Sequence, residues 1–307
     1  MHDDEIDIDE DLVRRLVDGL SADYAALPLR RFEATGSSNV LFRLGPDLLV
    51  RLPRQPGGTA TIEKEHRWLP YVAPHLPVAT PEILAVGEPT DDYPEKWSVV
   101  RYLPGSQPPV PTSDEAPRHA LAHDLAAVVD SLARLPVPDR AAGDRELQWY
   151  RGRPLATMDD DMRGYLRDAR RLEHLDLDLD AVTRAWEATI RVPGAGRVRT
   201  PHWYHGDLNP ENLLVRDGRL TAVLDFGGLA VGDPTIDLTV AWQLLDPDAR
   251  DTFRTALGVD DVTWCVARGW SLVLALMGLP YYWDTMPERC ARSVALARVV
   301  LADVATA

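Results

Sequence analysis

Three residues with oxygen-bearing side chains, Asp207, Asn212 and Asp225, stand at a spacing suited to moving a phosphoryl group from a nucleotide. They lie in HGDLNPENLL (205–214) and TAVLDFGG (221–228). A carboxylate followed five residues later by an amide suits a loop that presents both side chains to one point. The second carboxylate ends an apolar run eighteen residues beyond the first. In such chemistry the first carboxylate accepts or orients the proton of an acceptor hydroxyl, and the amide and second carboxylate hold Mg²⁺ against the phosphates. Mg²⁺ takes hard oxygen ligands and keeps several waters, so two protein ligands plus phosphate oxygens suffice. Asp207 is thus the candidate catalytic residue, Asn212 and Asp225 the candidate metal ligands, and ATP or GTP the candidate donor.

Either fragment alone is a weak signal, because D-x-x-x-x-N and DFG recur by chance. The sequence between them adds weight. Asn212–Val215 is an apolar run, Arg216-Asp217-Gly218 supplies turn residues, and Leu220–Leu224 is a second run containing β-branched residues. This pattern predicts a β-hairpin joining the two motifs.

HGDLNPENLL and LDFGG resemble the catalytic and metal-binding motifs of the aminoglycoside phosphotransferase and choline kinase-like superfamily of small-molecule kinases. His205-Gly206-Asp207 is similar to the H-G-D of that family rather than to the H-R-D of protein kinases, and no A-P-E-type segment follows the DFG. Gly232-Asp233-Pro234 and Asp237-Leu238 are also similar to a family segment. The resemblance runs from about residue 30 onward and is most specific between 202 and 242. It implies an α+β, two-lobed protein-kinase-like fold, with a small antiparallel-sheet N-lobe at 1–104, ending in the hinge, and a mostly helical C-lobe at 105–307. It also implies transfer of the γ-phosphoryl of ATP or GTP to a hydroxylated small molecule, an antibiotic such as an aminoglycoside foremost. A kinase of another hydroxylated metabolite and a nucleotide-binding pseudokinase are the alternatives.

The elements that must position these residues can be read along the chain. Met1–Leu20 reads as an amphipathic helix with Leu12, Leu16 and Val17 on one side. Leu29–Ala34, Asn39–Leu44 and Leu48–Leu52 are short strand candidates in a meander. Gly36, Ser37 and Ser38 form a turn where backbone N–H groups and small hydroxyls could cover nucleotide phosphates; a plain hairpin turn fits equally. Arg51 ends the third strand, where the resemblance implies a lysine that binds phosphate and pairs with a helix glutamate. Arginine keeps the charge but is not interchangeable with lysine. Its expected partner is Glu65 in ATIEKEHRWL, beside a face of Ile62, His66 and Leu69, with Glu63 as the other option. Pro70 is expected to end or kink this helix and keep it short. Trp97–Leu103 reads as a strand entering the hinge, and the resemblance places the purine against the backbone of Arg101, Tyr102 and Leu103.

Leu121, Leu125, Val128, Leu132 and Leu135 recur at helical spacing and predict a core helix of the C-lobe. Asp159, Asp160 and Asp161 could meet a cationic group, but acidic residues opening a helix fit capping and the helix dipole better. His205 is expected to brace the catalytic loop, with Asp233 and Asp237 in structural roles. The Tyr281-Tyr282-Trp283-Asp284 cluster suits either a ligand or core packing.

Composition sets the bounds. Of 307 residues 45% are apolar and 26% charged, enough for a substantial core. Net charge is −15, from 33 basic and 48 acidic residues, which argues against nucleic acid as a partner and is compatible with a cationic acceptor. The start is acidic and lacks the features of a secretory signal. The longest near-apolar stretch, read as Trp270–Tyr282, falls short of the roughly 20 residues that span a bilayer. Two cysteines, Cys265 and Cys290, with no CxxC motif fit a reduced, cytoplasmic chain.

Overall fold

The computed structural model describes residues 6–32, 38–109 and 118–306. The chain divides into two compact units. One comprises Met1–Gln107, Glu211–Arg216 and Thr221–Gly227, and the other Pro108–Pro210, Asp217–Leu220 and Gly228–Ala307.

The first unit is built on alternation. Helices α1 (Glu10–Leu20) and α2 (Ala22–Ala25) precede strands β1 (Leu29–Phe32), β2 (Asn39–Leu44) and β3 (Leu48–Pro53). Helix α3 (Gly58–Val72) then leads to β4 (Ile83–Gly87) and β5 (Trp97–Arg101). The five strands form one antiparallel sheet in the order β1-β2-β3-β5-β4. Every second residue of β2 is buried, and register pairs Val40 with Leu52 and Phe42 with Val50. These side chains join Leu12, Val13, Leu16 and Val17 of α1, with Trp97 and Val99, in one apolar cluster. Each such side chain contributes roughly 1.5–3 kcal/mol on full burial. Because side chains alternate along a strand, Arg51, between Val50 and Leu52, points to the other face. A one-residue slip of β3 would put the arginine into the apolar cluster, so the hydrophobic pattern itself protects the register.

Helix α3 is longer than expected. It runs through Pro70, which stands on the exposed side in the last turn, so the lost i→i−4 bond falls where water can serve the orphan carbonyl. Its buried residues are Ile62, Lys64, Glu65, Trp68, Leu69 and Val72, while His66 is exposed. Glu65 thus lies on the buried face rather than beside it. The helix starts at Gly57 without a side-chain cap of its own. Glu95 supplies the missing acceptors: Oε1 accepts from Gly57 N at 2.8 Å, and Oε2 from Thr59 N at 2.7 Å and Thr59 Oγ1 at 2.5 Å.

The second unit is mostly helical. Helices α4 (His119–Arg134), α5 (Asp139–Ala142), α6 (Asp159–Ala169) and α7 (Leu179–Ile190) are followed by the short strand β6 (His202–Tyr204). Next along the chain come the hairpin strands β7 (Leu213–Arg216) and β8 (Arg219–Val223), which belong for the most part to the first unit, and then β9 (Ala230–Gly232) in the second. The rest is α8 (Val240–Leu244), α9 (Pro247–Leu257), α10 (Asp261–Met277), α11 (Leu279–Tyr282) and α12 (Pro287–Thr306). Leu121, Leu125, Val128 and Leu132 of α4 are buried, as their spacing predicts, and Leu135 is buried just past the helix end. Helix α10 packs against α6, α7 and α12. The run Asp261–Tyr282, at 22 residues and mean hydropathy 1.5, is long and apolar enough to cross a membrane, so the apolar stretch is longer than the sequence reading had it. Its most apolar window is 61% buried inside the protein, as befits a core helix. Trp264 and Trp270 belong to this core, whereas Tyr281 is exposed.

Candidate functional site

Two clusters of chemistry emerge, one in each unit, and each is built by a different local device.

In the first unit, Arg51 Nη1 donates to Glu65 Oε2 at 3.0 Å, and both side chains are buried. Glu63, the other option, pairs instead with Lys96 at 2.9 Å. Burial works against the charge on Arg51, but Glu65 and Asp225 more than offset it and hold the guanidinium above its ordinary value. Burial raises the Glu65 carboxyl against the pull of Arg51. Asp225 is therefore close enough for its charge to be felt by both members of the pair. It sits just past β8 at φ 55°, a left-handed conformation that aspartate tolerates better than most residues. Its Oδ1 accepts from Gly227 N at 3.3 Å. A Cβ on Gly227 would meet Thr61 Cγ2 at 2.7 Å, so glycine is required where this turn packs on α3.

Asn212 is brought to Asp225 through the backbone, since Leu224 N donates to Asn212 O at 2.8 Å. The intervening hairpin turns at Asp217-Gly218, with φ of 53° and 73°, the positive-φ pair typical of a two-residue hairpin turn. Bridges from Ser106 to Val215 and from Ala79 to Ala222 fasten the hairpin to the rest of this unit.

The residues fit a hard dication. Asn212 and Asp225 offer an amide carbonyl and a carboxylate on adjacent backbone, and both are half-buried. Among the described residues there is no cluster of three or more His, Cys, Asp or Glu side chains that could hold a metal. A metal at this pair would take its remaining ligands from phosphates and water, which is how Mg²⁺ is usually bound.

Of the residues read as nucleotide contacts, Gly36 and Ser37 lie outside the described residues. Ser38 precedes β2, is exposed, and accepts from Arg54 N at 3.0 Å through its carbonyl. In the segment read as a hinge, Arg101 N donates to Glu82 O at 3.0 Å and Tyr102 N to Asp47 O at 2.7 Å. These bonds engage the Arg101 and Tyr102 amides within the unit. The Arg101 side chain pairs with Glu82 at 2.6 Å, and Tyr102 stacks under the Arg43 guanidinium at 3.6 Å.

In the second unit, strands β6 and β9 pair antiparallel, with Tyr204 opposite Ala230, and this sets the start of the loop that carries Asp207. Buried Asp237 then locks the loop backbone: its Oδ2 accepts from His205 N at 2.7 Å and its Oδ1 from Gly206 N at 2.8 Å. Burial raises the Asp237 carboxyl, and His205 and the two amides oppose this. His205 is fully buried, and its Nδ1 accepts from Asp207 N at 3.2 Å, so it braces the loop. Gly206 has φ 82°, and a Cβ there would lie 2.6 Å from Gly228 O and 2.8 Å from the Trp149 ring. Asp233 caps the turn after β9 through Thr235 N and pairs with Arg199 at 3.3 Å.

The sequence reading missed Arg151. Its Nη1 donates to Asp207 Oδ1 at 2.7 Å and to Gly206 O at 2.8 Å. It sits in a one-turn 3₁₀ segment, Tyr150–Gly152, that carries no periodic signal. Only an unplaced charge in an aromatic run, QWYRGRP, marked the spot. Asp159, Asp160 and Asp161 do open α6, but Met158 is its N-cap. Asp159 instead accepts from Trp186 Nε1 at 2.8 Å and Arg163 Nε at 3.0 Å, anchoring α7 to α6.

Comparison with known proteins fits this chemistry. The profile of the phosphotransferase enzyme family matches residues 29–270, and the chain belongs to that family. No curated protein sequence matches it significantly. Among solved structures it is similar to the GDP complex of wild-type aminoglycoside 2′-phosphotransferase-IIIa, with 18% identity and a TM-score of 0.73 over 97% of this chain and 100% of the other. It is similar to macrolide 2′-phosphotransferase MphH from Brachybacterium faecium, with 25% identity and a TM-score of 0.61 over 94% and 95%. It is also similar to the streptomycin–ATP ternary complex of APH(2″)-IIa, with 15% identity and a TM-score of 0.62 over 95% and 97%. The fold is thus the α+β fold of these phosphotransferases, an antiparallel-sheet N-terminal part with a mostly helical remainder.

Proposed function

We propose that this phosphotransferase moves the γ-phosphoryl group of ATP or GTP to a hydroxyl of a small-molecule antibiotic, an aminoglycoside or a macrolide. One observation carries the reading. The Asp207 carboxylate is 40% exposed, although the histidine before it and the aspartate that ties down its loop are buried. A carboxylate held this firmly yet left open is suited to receive a substrate proton.

In this reading residues 1–104 serve the donor, with the hairpin segments around Asn212 and Asp225, and residues 105–307 serve the acceptor. Arg51, held by Glu65, meets donor phosphate oxygens, and the Leu103 amide meets the purine. Asn212 and Asp225 would hold Mg²⁺. A dication held there would supply positive charge to the donor's phosphates. Asp207 aligns the acceptor hydroxyl and takes its proton as the oxygen attacks the γ-phosphorus. The bond to the β,γ-bridging oxygen breaks, and the nucleoside diphosphate leaves with that electron pair. The transition state is loose, so positioning and electrostatics supply most of the rate.

Similarity to both aminoglycoside and macrolide phosphotransferases leaves the acceptor class to experiment. A kinase of another hydroxylated metabolite is the second reading. Both cysteines are free thiols, and a cytoplasmic site of action belongs to the same proposal. The test is to incubate the protein with Mg²⁺, ATP or GTP and pools of aminoglycosides, macrolides and other hydroxylated metabolites, reading phosphate-sized mass gains. Gains on an antibiotic support the first reading, gains only on another metabolite the second, and none on any acceptor would overturn both.

A further inference from the structure

The segment Trp149-Tyr150-Arg151 lies beside the Asp207 loop and supplies none of the groups assigned above to donor, metal or acceptor. The Arg151 side chain is 12% exposed. Its guanidinium carbon sits 4.4 Å from the Trp149 ring centroid, its Nε donates to Tyr150 Oη at 3.1 Å, and its Nη1 reaches both Asp207 Oδ1 and Gly206 O. Trp149 in turn packs against the loop glycines, since a Cβ at Gly206 or Gly228 would come within 2.8 or 2.9 Å of its ring. One side chain is thus fixed by a ring face, a hydroxyl, a backbone carbonyl and a carboxylate. Such over-determination is unlike a surface ion pair, which pays side-chain entropy for little net gain.

Building on the reading of Asp207 as the acceptor-side carboxylate, we propose that Arg151 is a positioning residue for phosphoryl transfer. Its Nη1 carries two hydrogens, one for Gly206 O and one for Asp207 Oδ1. With Oδ1 held, the plane in which the carboxylate meets the acceptor hydroxyl is set. The terminal torsion of aspartate is broad, so without a partner the carboxylate would sample many orientations. Arginine stays protonated under all working conditions and accepts no proton, so it can hold one oxygen without competing for the substrate's hydrogen. Lysine could restore the ion pair, but an ammonium cannot also reproduce the guanidinium's planar fork and its stacking on Trp149.

The test uses the full chain. Arg151→Ala, Arg151→Gln and Arg151→Lys are compared with the parent on whichever of kanamycin, streptomycin or a macrolide the parent phosphorylates. Misplacing a reacting group costs up to about 10²-fold, so kcat of Arg151→Ala should fall by roughly 10–10²-fold with nucleotide KM unchanged. Arg151→Lys should fall between it and the parent, and added methylguanidinium should restore part of the Arg151→Ala rate. Unchanged kcat, or a nucleotide KM that rises in step with the loss, would overturn the proposal. A second measurement does not depend on turnover: Tm of Arg151→Ala, Asp207→Ala and the double variant. Losses that overlap show the pair is coupled, and losses that add overturn it. If the parent phosphorylates no acceptor in the pools described above while the Tm losses overlap, the functional reading fails and the brace stands.

Discussion

Two arginine–carboxylate pairs, one in each unit, invert each other's roles. In the first unit Arg51 and Glu65 meet at 3.0 Å with side chains 9% and 0% exposed. In the second, Arg151 and Asp207 meet at 2.7 Å with side chains 12% and 40% exposed. Glu65 is sealed between its arginine and the Phe226 backbone, so in the proposed reaction the cation is the group with donors to offer. Arg151 is the sealed member of the other pair, so the carboxylate is the group on offer. In the proposed reaction the more deeply buried partner of each pair is structural and the less buried one is the reagent. Ion pairs of similar length therefore have different consequences when broken, and burial of the individual side chain decides which.

Asp225 bears on both members of the first pair, and its loss should be the most severe. Asp225→Asn should abolish transfer and weaken Mg²⁺-dependent nucleotide binding, because a neutral amide is a poorer ligand for a hard dication. Normal turnover in that variant would falsify the metal assignment.

The sealed pair can be broken from one side. Removing one member of a buried ion pair leaves an uncompensated charge, so Arg51→Ala should destabilise by about 3–5 kcal/mol in chemical denaturation and raise the nucleotide KM. Arg51→Lys should keep part of the activity, since the charge survives. An Arg51→Met/Glu65→Leu double variant should be more stable than Arg51→Ala while remaining a poor nucleotide binder. If the double variant is no more stable than the single, the pair does not act as a unit.

Asp207→Asn sharpens the contrast from the other side. It should lower kcat by about 10²-fold or more, the usual scale for a positioned acid–base group, and lower Tm because the buried Arg151 loses its counter-charge, while leaving nucleotide affinity near the parent's. A loss of affinity with turnover retained would make Asp207 a nucleotide ligand.

Gly206→Ala attacks the loop rather than the carboxylate. At φ 82°, with Gly228 O and the Trp149 ring in the way, an added Cβ should destabilise by about 1–3 kcal/mol and lower kcat by displacing Asp207. A fully active, fully stable variant would show that the loop adapts.

The mildest effect concerns Glu95, which caps the helix that presents Glu65. Burial would raise its carboxyl, but Thr59 Oγ1 and the Gly57 and Thr59 amides outweigh that and lower it. A group with a depressed folded-state value adds stability above its unfolded value, here 4.5, and loses it as pH falls through the folded one. Glu95→Gln should therefore cost about 0.5–2 kcal/mol at neutral pH, the usual worth of a helix cap, and the difference from the parent should shrink in acid below that value. A difference that does not vary with pH would show that the charge is not what caps the helix.

How far the site could be read from the chain depended on the range of the interaction. Asn212 and Asp225 sit at the two ends of a hairpin, so turn residues and two short apolar runs were enough to relate them. The Arg51–Glu65 pairing could be anticipated because a strand end and the next helix are neighbours along the chain. Arg151 could not be found this way. Its partner lies 56 residues away, and a single 3₁₀ turn has no repeat to detect. Glu95 reaches its helix terminus across 36 residues for the same reason. Pro70 misled in the opposite direction, because a local rule about helix breaking was overridden where the proline stands exposed at a helix end.

By itself the sequence determined which side chains the proposed phosphoryl transfer could draw on, and most of the strands and helices that carry them. Both follow from short-range spacing, turn chemistry and the two- and 3.6-residue periods. Tertiary structure alone decided which charges are sealed and which are open, that Asp207 is gripped by Arg151, and that Asp237 ties down the loop beneath it. These depend on desolvation and on contacts between distant segments, and neither is encoded in any one stretch of the chain.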